Sequence, residues 1–533
     1  MATQLQIEKL TNKAVKYCNQ RKLAQGRQAA KKLISMDSSN FNGHQILGLI
    51  NLEEKRFRLA IENFLDAIKF AQEGNNVVKV KLNLGTCYES VEDWELAIKW
   101  YQAVLEEDMT NATALMGKGK VLNSLGNFKE ALINFKQVIF YPDKSETNHS
   151  VARAVAHSNV MQSPLVVPDE TDINLLKRDI EQCSSDNVEA LINYNFALGA
   201  GLERLKFFDE AFAAYSNGNR IKRNNVRYPE AKLLKAGESL FDIFDKEIFL
   251  KLKKLSRQQT APIFVLGLPR SGTTLIESIL GAAPGVAEKG ELPWIPSLIT
   301  EMEQKPLKGK SYPDVIYEFD QKLIEKKANQ YLQRAGIEPG TIAVDKLPGN
   351  FWHIGFIKIL FPKAKIIHCF KNPIDACFSL FKQHFGDGHA FCYEMSEIIR
   401  YQKFYYKMMD HWLKLLGDDL FQLPYEAFID NPDKIGQSLF KFCDLEWDKD
   451  YLNSFTKRKS VRTASVVQVR EGLFKTALMR WKHYDSYMDE AKEEFKEFYD
   501  DEYNYLPEWK PGLLRRRETK TPIIRIDSNS FPF

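Results

Sequence analysis

The chain has 533 residues, too many for one compact domain, and its 44% hydrophobic and 27% charged content is typical of folded proteins. Its 74 lysines and arginines barely exceed its 70 aspartates and glutamates, so the charge does not indicate a nucleic-acid partner. Seven scattered cysteines form no Cys-x-x-Cys pair, which predicts reduced thiols and no metal site. No apolar run has membrane-spanning or signal-peptide length, so we expect a soluble, cytoplasmic protein.

The first half of the chain repeats one pattern of small and aromatic residues, with a period of 34 residues between two of the copies. Small residues let two helices approach closely, and the aromatic residue fills the gap to the next pair. This spacing resembles the tetratricopeptide repeat (TPR). The resemblance implies an all-α solenoid over residues 1–235, whose concave face binds a protein partner. The copies are Gly48, Ala60 and Phe64; Gly85, Ala97 and Tyr101; Gly119, Ala131 and Phe135; and Gly199, Ala211 and Tyr215.

Between Tyr141 and Asp172 the repeat pattern gives way to polar, proline-containing sequence, which predicts a loop between repeats. Residues Ser239 to Arg257 recover an amphipathic pattern and predict one or two helices. We therefore expect a helical linker over residues 236–258, a second domain over 259–515 and a tail over 516–533.

The second domain opens with an apolar strand, a glycine-containing turn and a helix, APIFVLGLPRSGTTLIESIL, from Ala261 to Leu280. Two glycines, Gly267 and Gly272, have the spacing of a phosphate-binding loop, but Thr273 stands where nucleoside triphosphatases carry a lysine. Backbone N–H groups of such a turn and helix start bind anions. The missing lysine argues against a phosphotransferase that holds a triphosphate with Mg²⁺.

The run PRSGTTLIESIL resembles the 5′-phosphosulfate loop of sulfotransferases, which use 3′-phosphoadenosine 5′-phosphosulfate (PAPS) as donor. Further segments follow in that family's order, and they look most like those of tyrosylprotein sulfotransferases and their bacterial relatives. The resemblance covers residues 261–484 and implies an α/β domain with a central parallel sheet, PAPS as co-substrate and no metal. The further segments are PGVAEKGELPWIP, TIAVDKLPGNF, KIIHCFKNPIDACFSL, LPYEAFIDNP and RTASVVQVREGLFKTALMRW.

The same resemblance implies two catalytic residues. Glu291 matches the general base, and Lys346 matches the lysine that reaches the transferring sulfuryl group. Glu288, three residues before Glu291, is an alternative base, and His384 is a second alternative.

The resemblance also implies a set of donor-binding residues. Lys371 stands where the family has an arginine at the 3′-phosphate, so the charge is kept but the bidentate fork is lost. This change predicts weaker donor binding. The other matched positions are Arg270, Ser271, Gly272, Thr273, Thr274, Ser379, Tyr425, Ser465 and Arg470.

In-line sulfuryl transfer requires a base for the acceptor hydroxyl, a cation at the bridging oxygen and fixed geometry. The sequence therefore predicts a PAPS-dependent sulfotransferase that acts on a protein tyrosine or a carbohydrate. In this hypothesis the repeats recruit the acceptor or a protein partner. The alternative is an interaction scaffold whose nucleotide-binding domain is weakened or inactive.

Overall fold

The computed structural model describes residues 4–141, 149–338, 340–386, 388–457 and 478–499. The chain divides into two compact units, one formed by the described residues up to Phe207 and the other by those from Phe208 onward. This division precedes residue 235, where the sequence analysis places the end of the repeats. Across the described ranges, no helix combines the length and apolar character needed to cross a membrane.

The first unit is built of helices, and successive helices pack against each other in pairs. Their bounds are α1 Gln4–Asn19, α2 Leu23–Met36, α3 Phe41–Glu53, α4 Phe57–Lys69, α5 Val77–Ser90, α6 Trp94–Leu105, α7 Ala112–Ser124, α8 Phe128–Phe140, α9 His149–Gln162, α10 Glu170–Gln182 and α11 Val188–Arg204.

The glycines of the repeat pattern lie directly against its aromatic residues. A Cβ atom added to Gly48 would lie 2.5 Å from the Phe64 ring, and one added to Gly85 would lie 2.6 Å from the Tyr101 ring. Tyr101 also contacts the next pair of helices, because a Cβ on Gly117 would lie 2.4 Å from it. The predicted close approach of paired helices, with an aromatic residue filling the gap to the next pair, is confirmed.

The predicted loop between Tyr141 and Asp172 is wrong in part, because helix α9 lies within it. The small and apolar side chains of α9 are buried in a core shared with α8 and α11. Its polar residues are also used in packing: Arg153 and His157 contact Asp179 of α10 at 2.8 and 2.9 Å. Helix α9 therefore lies between the two polar stretches that suggested a loop, and it is held by apolar packing and ion pairs.

The described residues of the second unit form a sheet of five parallel strands in the order β2-β3-β1-β4-β5. The strands are β1 Ile263–Gly267, β2 Val286–Glu288, β3 Ile342–Asp345, β4 Lys365–Phe370 and β5 Leu420–Pro424. The helices of this unit are α12 Phe208–Asn225, α13 Glu230–Ile243, α14 Lys246–Lys253, α15 Thr273–Gly281, α16 Trp294–Gln304, α17 Gln321–Ala335, α18 Ile354–Leu360, α19 Pro373–Phe381, α20 Met395–Leu416, α21 Tyr425–Asp430, α22 Pro432–Phe442 and α23 Asp489–Glu494.

Helix α12, which the sequence analysis assigned to the repeats, is bound to the sheet-containing unit by polar contacts. The Asn219 side chain donates to the Phe381 carbonyl at 2.7 Å, and Arg223 holds Glu397 with two hydrogen bonds of 2.8 and 2.9 Å. Helices α13 and α14 follow, in agreement with the prediction of one or two helices before the second domain.

The topology brings the predicted functional segments to one edge of the sheet. Strand β1 lies between β3 and β4, with Ile263 opposite both Val344 and Lys365. Because all five strands are parallel, the segments that follow them meet at the carboxyl edge, where open α/β sheets bind ligands.

Candidate active site

The loop between β1 and α15 has a backbone that only glycine accommodates at its two ends. Gly267 has φ +149°, and a Cβ there would lie 2.1 Å from the Cys369 carbonyl oxygen of β4. Gly272 has φ +88° and precedes the first residue of α15. Between them, the buried Ser271 hydroxyl donates to the Leu268 carbonyl at 2.7 Å and closes the turn. Helix α15 begins directly at the end of this loop, and the N-terminus of a helix is a place where backbone N–H groups bind anions.

Arg270 lies inside this loop in a left-handed conformation, with φ 71°. Loss of hydration lowers the pKa of its guanidinium to about 10, and the neighbouring charge of Arg480 acts in the same direction. Arg270 remains charged at neutral pH, so two arginines share this corner of the site. Such a concentration of positive charge favours a bound anion.

The sequence analysis quoted the segment that contains Arg480 but did not single this residue out. Arg480 begins a 3-10 helix, Arg480–Tyr487, and Asp375 of α19 holds the surrounding backbone. The Asp375 carboxylate accepts hydrogen bonds from the N–H groups of Met479, at 2.8 Å, and Trp481, at 3.1 Å. This contact between distant parts of the chain places Arg480 near the loop.

Tyr425 follows β5 and packs on the same loop. A Cβ on Gly272 would lie 2.5 Å from Cδ2 of the tyrosine ring. Burial raises the pKa of Tyr425, whereas the charges of Arg270 and Arg480 lower it, which places the hydroxyl near both arginines. The ring therefore forms a wall of the predicted donor site.

The two predicted catalytic residues contact each other. Lys346, directly after β3, has only 1% of its side chain exposed, and its Nζ donates to Oε1 of Glu291 at 2.5 Å. The Glu291 side chain is 48% exposed. The ion pair thus has a buried cation and a carboxylate that an incoming acceptor can reach.

The alternative base Glu288 lies in another direction. Its side chain packs on helix α15, since a Cβ on Gly281 would lie 2.2 Å from Cγ of Glu288. Of the two carboxylates, Glu291 is the one that contacts Lys346. Glu291 is thus paired with a buried cation, whereas Glu288 packs on a helix.

His389, which the sequence analysis did not single out, lies in the electrostatic range of Glu291. Burial lowers the pKa of the imidazole, and the charge of Glu291 raises it. The Phe385 ring packs on the imidazole with ring centroids 4.8 Å apart. Only the fold brings this histidine within range of the Glu291 charge.

The two predicted 3′-phosphate residues contact each other: Lys371 lies just before α19 and Ser379 lies in its last turn. The Lys371 Nζ donates to the Ser379 hydroxyl at 3.3 Å and lies 3.6 Å from the Asp375 carboxylate. Glu426 accepts the Asn372 N–H at 2.9 Å. Burial raises the pKa of Glu426 to about 7, and the Lys371 charge opposes that rise. Two carboxyl groups therefore surround the lysine that replaces the family arginine.

The structure gathers most of the predicted donor-binding residues at the carboxyl edge of β1, β4 and β5. Ser465 and Arg470 lie outside the described residues. The gathered residues are Arg270, Ser271, Gly272, Thr273, Thr274, Lys371, Ser379 and Tyr425.

A cavity of about 660 Å³ lies at the opposite, amino-terminal edge of β4 and β5. Its lysines form ion pairs with its aspartates: Lys253 and Lys358 contact Asp419, and Lys365 contacts Asp444. This cavity holds none of the predicted site residues.

The sheet-containing region is similar to a known protein family. The model of the sulfotransferase family matches residues 262–449. An uncharacterized protein of Aquifex aeolicus (strain VF5) is 32% identical over 303 residues, which are 55% of this chain and 40% of that protein. The "Putative protein-tyrosine sulfotransferase" of Caenorhabditis briggsae is 24% identical over 200 residues, 36% of this chain and 68% of that protein. The chain thus spans less than half the length of the Aquifex relative.

Two solved structures are similar to the two halves of the chain. The sulfotransferase domain of the Synechococcus PCC 7002 olefin synthase is 22% identical, with a TM-score of 0.31, and covers 42% of this chain and 90% of that domain. The TPR protein YrrB is 20% identical, with a TM-score of 0.25, and covers 34% of this chain and 88% of that protein. The described residues form an N-terminal helical repeat region that resembles TPR proteins and a C-terminal sulfotransferase-like domain with a parallel five-stranded sheet. The predicted fold class and family resemblance are confirmed.

Proposed function

We propose that the protein transfers a sulfuryl group from PAPS to an acceptor hydroxyl, with Glu291 as general base and Lys346 as the cation at the reacting group. The observation that carries the proposal is the direct contact between these two side chains, 2.5 Å apart, at the carboxyl edge of a sulfotransferase-family domain. The phosphate-binding loop follows β1, which lies next to β3, the strand that Lys346 directly follows.

The proposed PAPS-binding site lies at the same carboxyl edge of the sheet. The loop amides and Arg270 bind the 5′-phosphosulfate, with Arg480 as a second cation. Lys371 and Ser379 bind the 3′-phosphate, which distinguishes PAPS from ATP. Thr273 in place of a lysine removes the group that holds a triphosphate in nucleoside triphosphatases.

The reaction is a single in-line displacement. The acceptor oxygen forms a bond to sulfur as its proton passes to the Glu291 carboxylate. The bond between sulfur and the bridging oxygen breaks, and adenosine 3′,5′-bisphosphate leaves with the negative charge. Lys346 stabilises that charge, and a positioned base contributes about 10²–10⁴ in rate.

The acceptor we propose is a hydroxyl on a protein tyrosine or a carbohydrate. The similarity to the "Putative protein-tyrosine sulfotransferase" of Caenorhabditis briggsae supports the tyrosine. The exposed Glu291 carboxylate leaves room for a large acceptor to approach. The helical repeats then recruit the acceptor or a protein partner, as extended repeat surfaces do.

One observation favours the scaffold alternative. The Lys371 ammonium already lies 3.6 Å from Asp375 and interacts with Glu426, so part of its charge is balanced within the protein. A donor site weakened in this way is what a purely interacting protein would retain.

The experiment that tests the proposal combines binding and transfer. Isothermal calorimetry compares 3′,5′-ADP, 5′-AMP and ATP, and transfer from ³⁵S-labelled PAPS is measured on tyrosine peptides and glycans. We expect 3′,5′-ADP to bind most tightly and label to appear on one acceptor class. ATP binding as tightly as 3′,5′-ADP contradicts the proposal, and tight donor binding without transfer to any acceptor supports the scaffold.

A further inference from the structure

The residues on both sides of Glu291 are held by buried carboxyl groups. Glu277 of α15 is 1% exposed, and its Oε1 accepts the Gly290 N–H at 2.8 Å. Asp345, the last residue of β3, is fully buried and accepts a hydrogen bond from the backbone of Leu292. The backbone N–H groups of the residues immediately before and after Glu291 therefore both donate to a carboxyl oxygen.

Backbone hydrogen bonds extend the same restraint. Lys289 donates to the Val344 carbonyl at 2.9 Å, and the Lys346 N–H donates to the Gly290 carbonyl at 2.9 Å. These bonds continue the pairing of β2 with β3 beyond the end of β2. Gly290 then turns the chain with φ +66°, a conformation that favours glycine. The Glu291 side chain leaves this turn toward Lys346.

Packing alone does not account for the two carboxyl groups. Every residue of α15 from Thr273 to Leu280 is buried, and an apolar residue at position 277 would fill the same space without the cost of burying an acid. Burial raises the pKa of Asp345 to about 7 against the lowering effect of the Tyr331 hydroxyl, and Glu277 nearby raises it further. Two acids at close range are unfavourable for stability, which points to a functional reason for keeping them.

We propose that Glu277 and Asp345 are positioning residues that fix the Glu291 carboxylate at Lys346. Glu277 lies on the helix that begins at the phosphate-binding loop, one turn after Thr273 and Thr274. Its bond to Gly290 therefore links the donor loop to the base, so that the base and the donor keep a fixed relative position. This inference rests on the proposed function of Glu291 as general base.

The two roles of Glu277, hydrogen-bond acceptor and negative charge, are separated by substitution. Glu277→Gln keeps an acceptor oxygen for the Gly290 N–H, Glu277→Asp keeps the charge but is one methylene too short, and Glu277→Leu removes both. A misplacement of about 1 Å in a catalytic group costs about 10²-fold in rate. We expect the kcat of Glu277→Gln to be close to parental. The kcat of Glu277→Leu should fall by about 10²-fold, and that of Glu277→Asp by an intermediate factor.

The measurements are kcat and acceptor KM for sulfuryl transfer, and 3′,5′-ADP affinity by calorimetry. The affinity and KM should stay parental in all three variants, which separates positioning from general damage. Hydrogen–deuterium exchange of the peptide that contains Gly290 should accelerate in Leu and Asp but not in Gln. Glu397→Gln removes another buried carboxylate of the same unit, one bound to Arg223, and should leave kcat and that exchange unchanged.

Parental kcat in a folded Glu277→Leu or Glu277→Asp variant overturns the inference. A loss in Glu277→Gln as large as in Glu277→Leu also overturns it, because the hydrogen bond would then not be the relevant property. If Glu277→Leu does not fold, the Asp variant and the exchange measurement decide. Parental kcat in Glu291→Gln instead overturns the proposed base, so the two failures are distinguishable.

Discussion

Gly272→Ala is expected to damage the donor loop through two separate effects. Alanine at φ +88° costs about 1–2 kcal/mol of backbone strain. The new methyl group would also lie 2.5 Å from Cδ2 of Tyr425, and overpacking of this kind costs about 1–3 kcal/mol. The sum is about 2–5 kcal/mol, which the loop relieves only by moving away from Tyr425.

Gly285 provides a matched control, because it has φ +76° and a Cβ added there would lie in open space, more than 4 Å from the other described residues around it. Gly285→Ala should therefore show the strain without the clash. Thermal unfolding measures the difference, at about 2–4 °C per kcal/mol for a domain of this size. Calorimetry with 3′,5′-ADP should show at least tenfold weaker binding for Gly272→Ala, since about 1.4 kcal/mol corresponds to that factor.

The clash is isolated in a second background. Tyr425→Ala removes the ring, so the stability cost of Gly272→Ala in that background should fall to the Gly285→Ala value. An unchanged cost in both backgrounds would refute the contact between Gly272 and Tyr425, and with it the placement of Tyr425 at the donor loop.

Three further predictions concern the anion site. Lys371→Arg should tighten 3′,5′-ADP binding by about 1–2 kcal/mol and leave 5′-AMP binding unchanged in calorimetry, because a bidentate fork replaces a point charge already shared with Asp375. An equal gain in 5′-AMP binding would place the residue elsewhere. Arg480→Ala should weaken 3′,5′-ADP binding by about 10–10²-fold, as expected for a lost charge-assisted hydrogen bond. Substitution of the exposed Lys482 by alanine should leave that binding unchanged. Equal effects of the two substitutions would contradict the proposed role of Arg480. Glu426→Gln should flatten the pH dependence of stability. Burial raises the pKa of Glu426 to about 7, so between pH of about 4.5 and 7 the folded state keeps a proton that the unfolded state has lost. The stability of the parent protein therefore falls as pH rises through this range. An unchanged slope in chemical unfolding at pH 5 and pH 7 would contradict that pKa.

The parts of the fold that sequence could predict are those set by local pattern. The repeat glycines and their aromatic partners are separated by a fixed number of residues, so the packing of Gly85 on Tyr101 follows from spacing alone. The strand, turn and helix around Gly267 and Gly272 are likewise set locally, because each glycine is needed for a backbone conformation within a few residues of it. Helix α9 was missed because polar, proline-containing sequence lies on both sides of it, and because the pairing of its Arg153 and His157 with Asp179 exists only in the fold.

The parts of the site that sequence missed depend on contacts between distant segments. Arg480 reaches the loop because Asp375, over a hundred residues earlier, binds the backbone beside it. His389 comes near Glu291 in the same way. Glu277 did leave a signal, because it is the single charged residue of helix α15. Its partner Gly290 is known only from the fold.

The central claim is that Glu291 removes the proton of the acceptor hydroxyl, and Glu291→Gln tests it most directly. Glutamine keeps an oxygen for the buried Lys346 but no longer accepts a proton, so 3′,5′-ADP binding should stay parental. Turnover with ³⁵S-labelled PAPS should fall by about 10²-fold or more, the contribution of a general base. Glu288→Gln, on the same segment but packed on α15, should change kcat far less. Near-parental kcat in Glu291→Gln, with a collapse in Glu288→Gln, would contradict the account and make Glu288 the base.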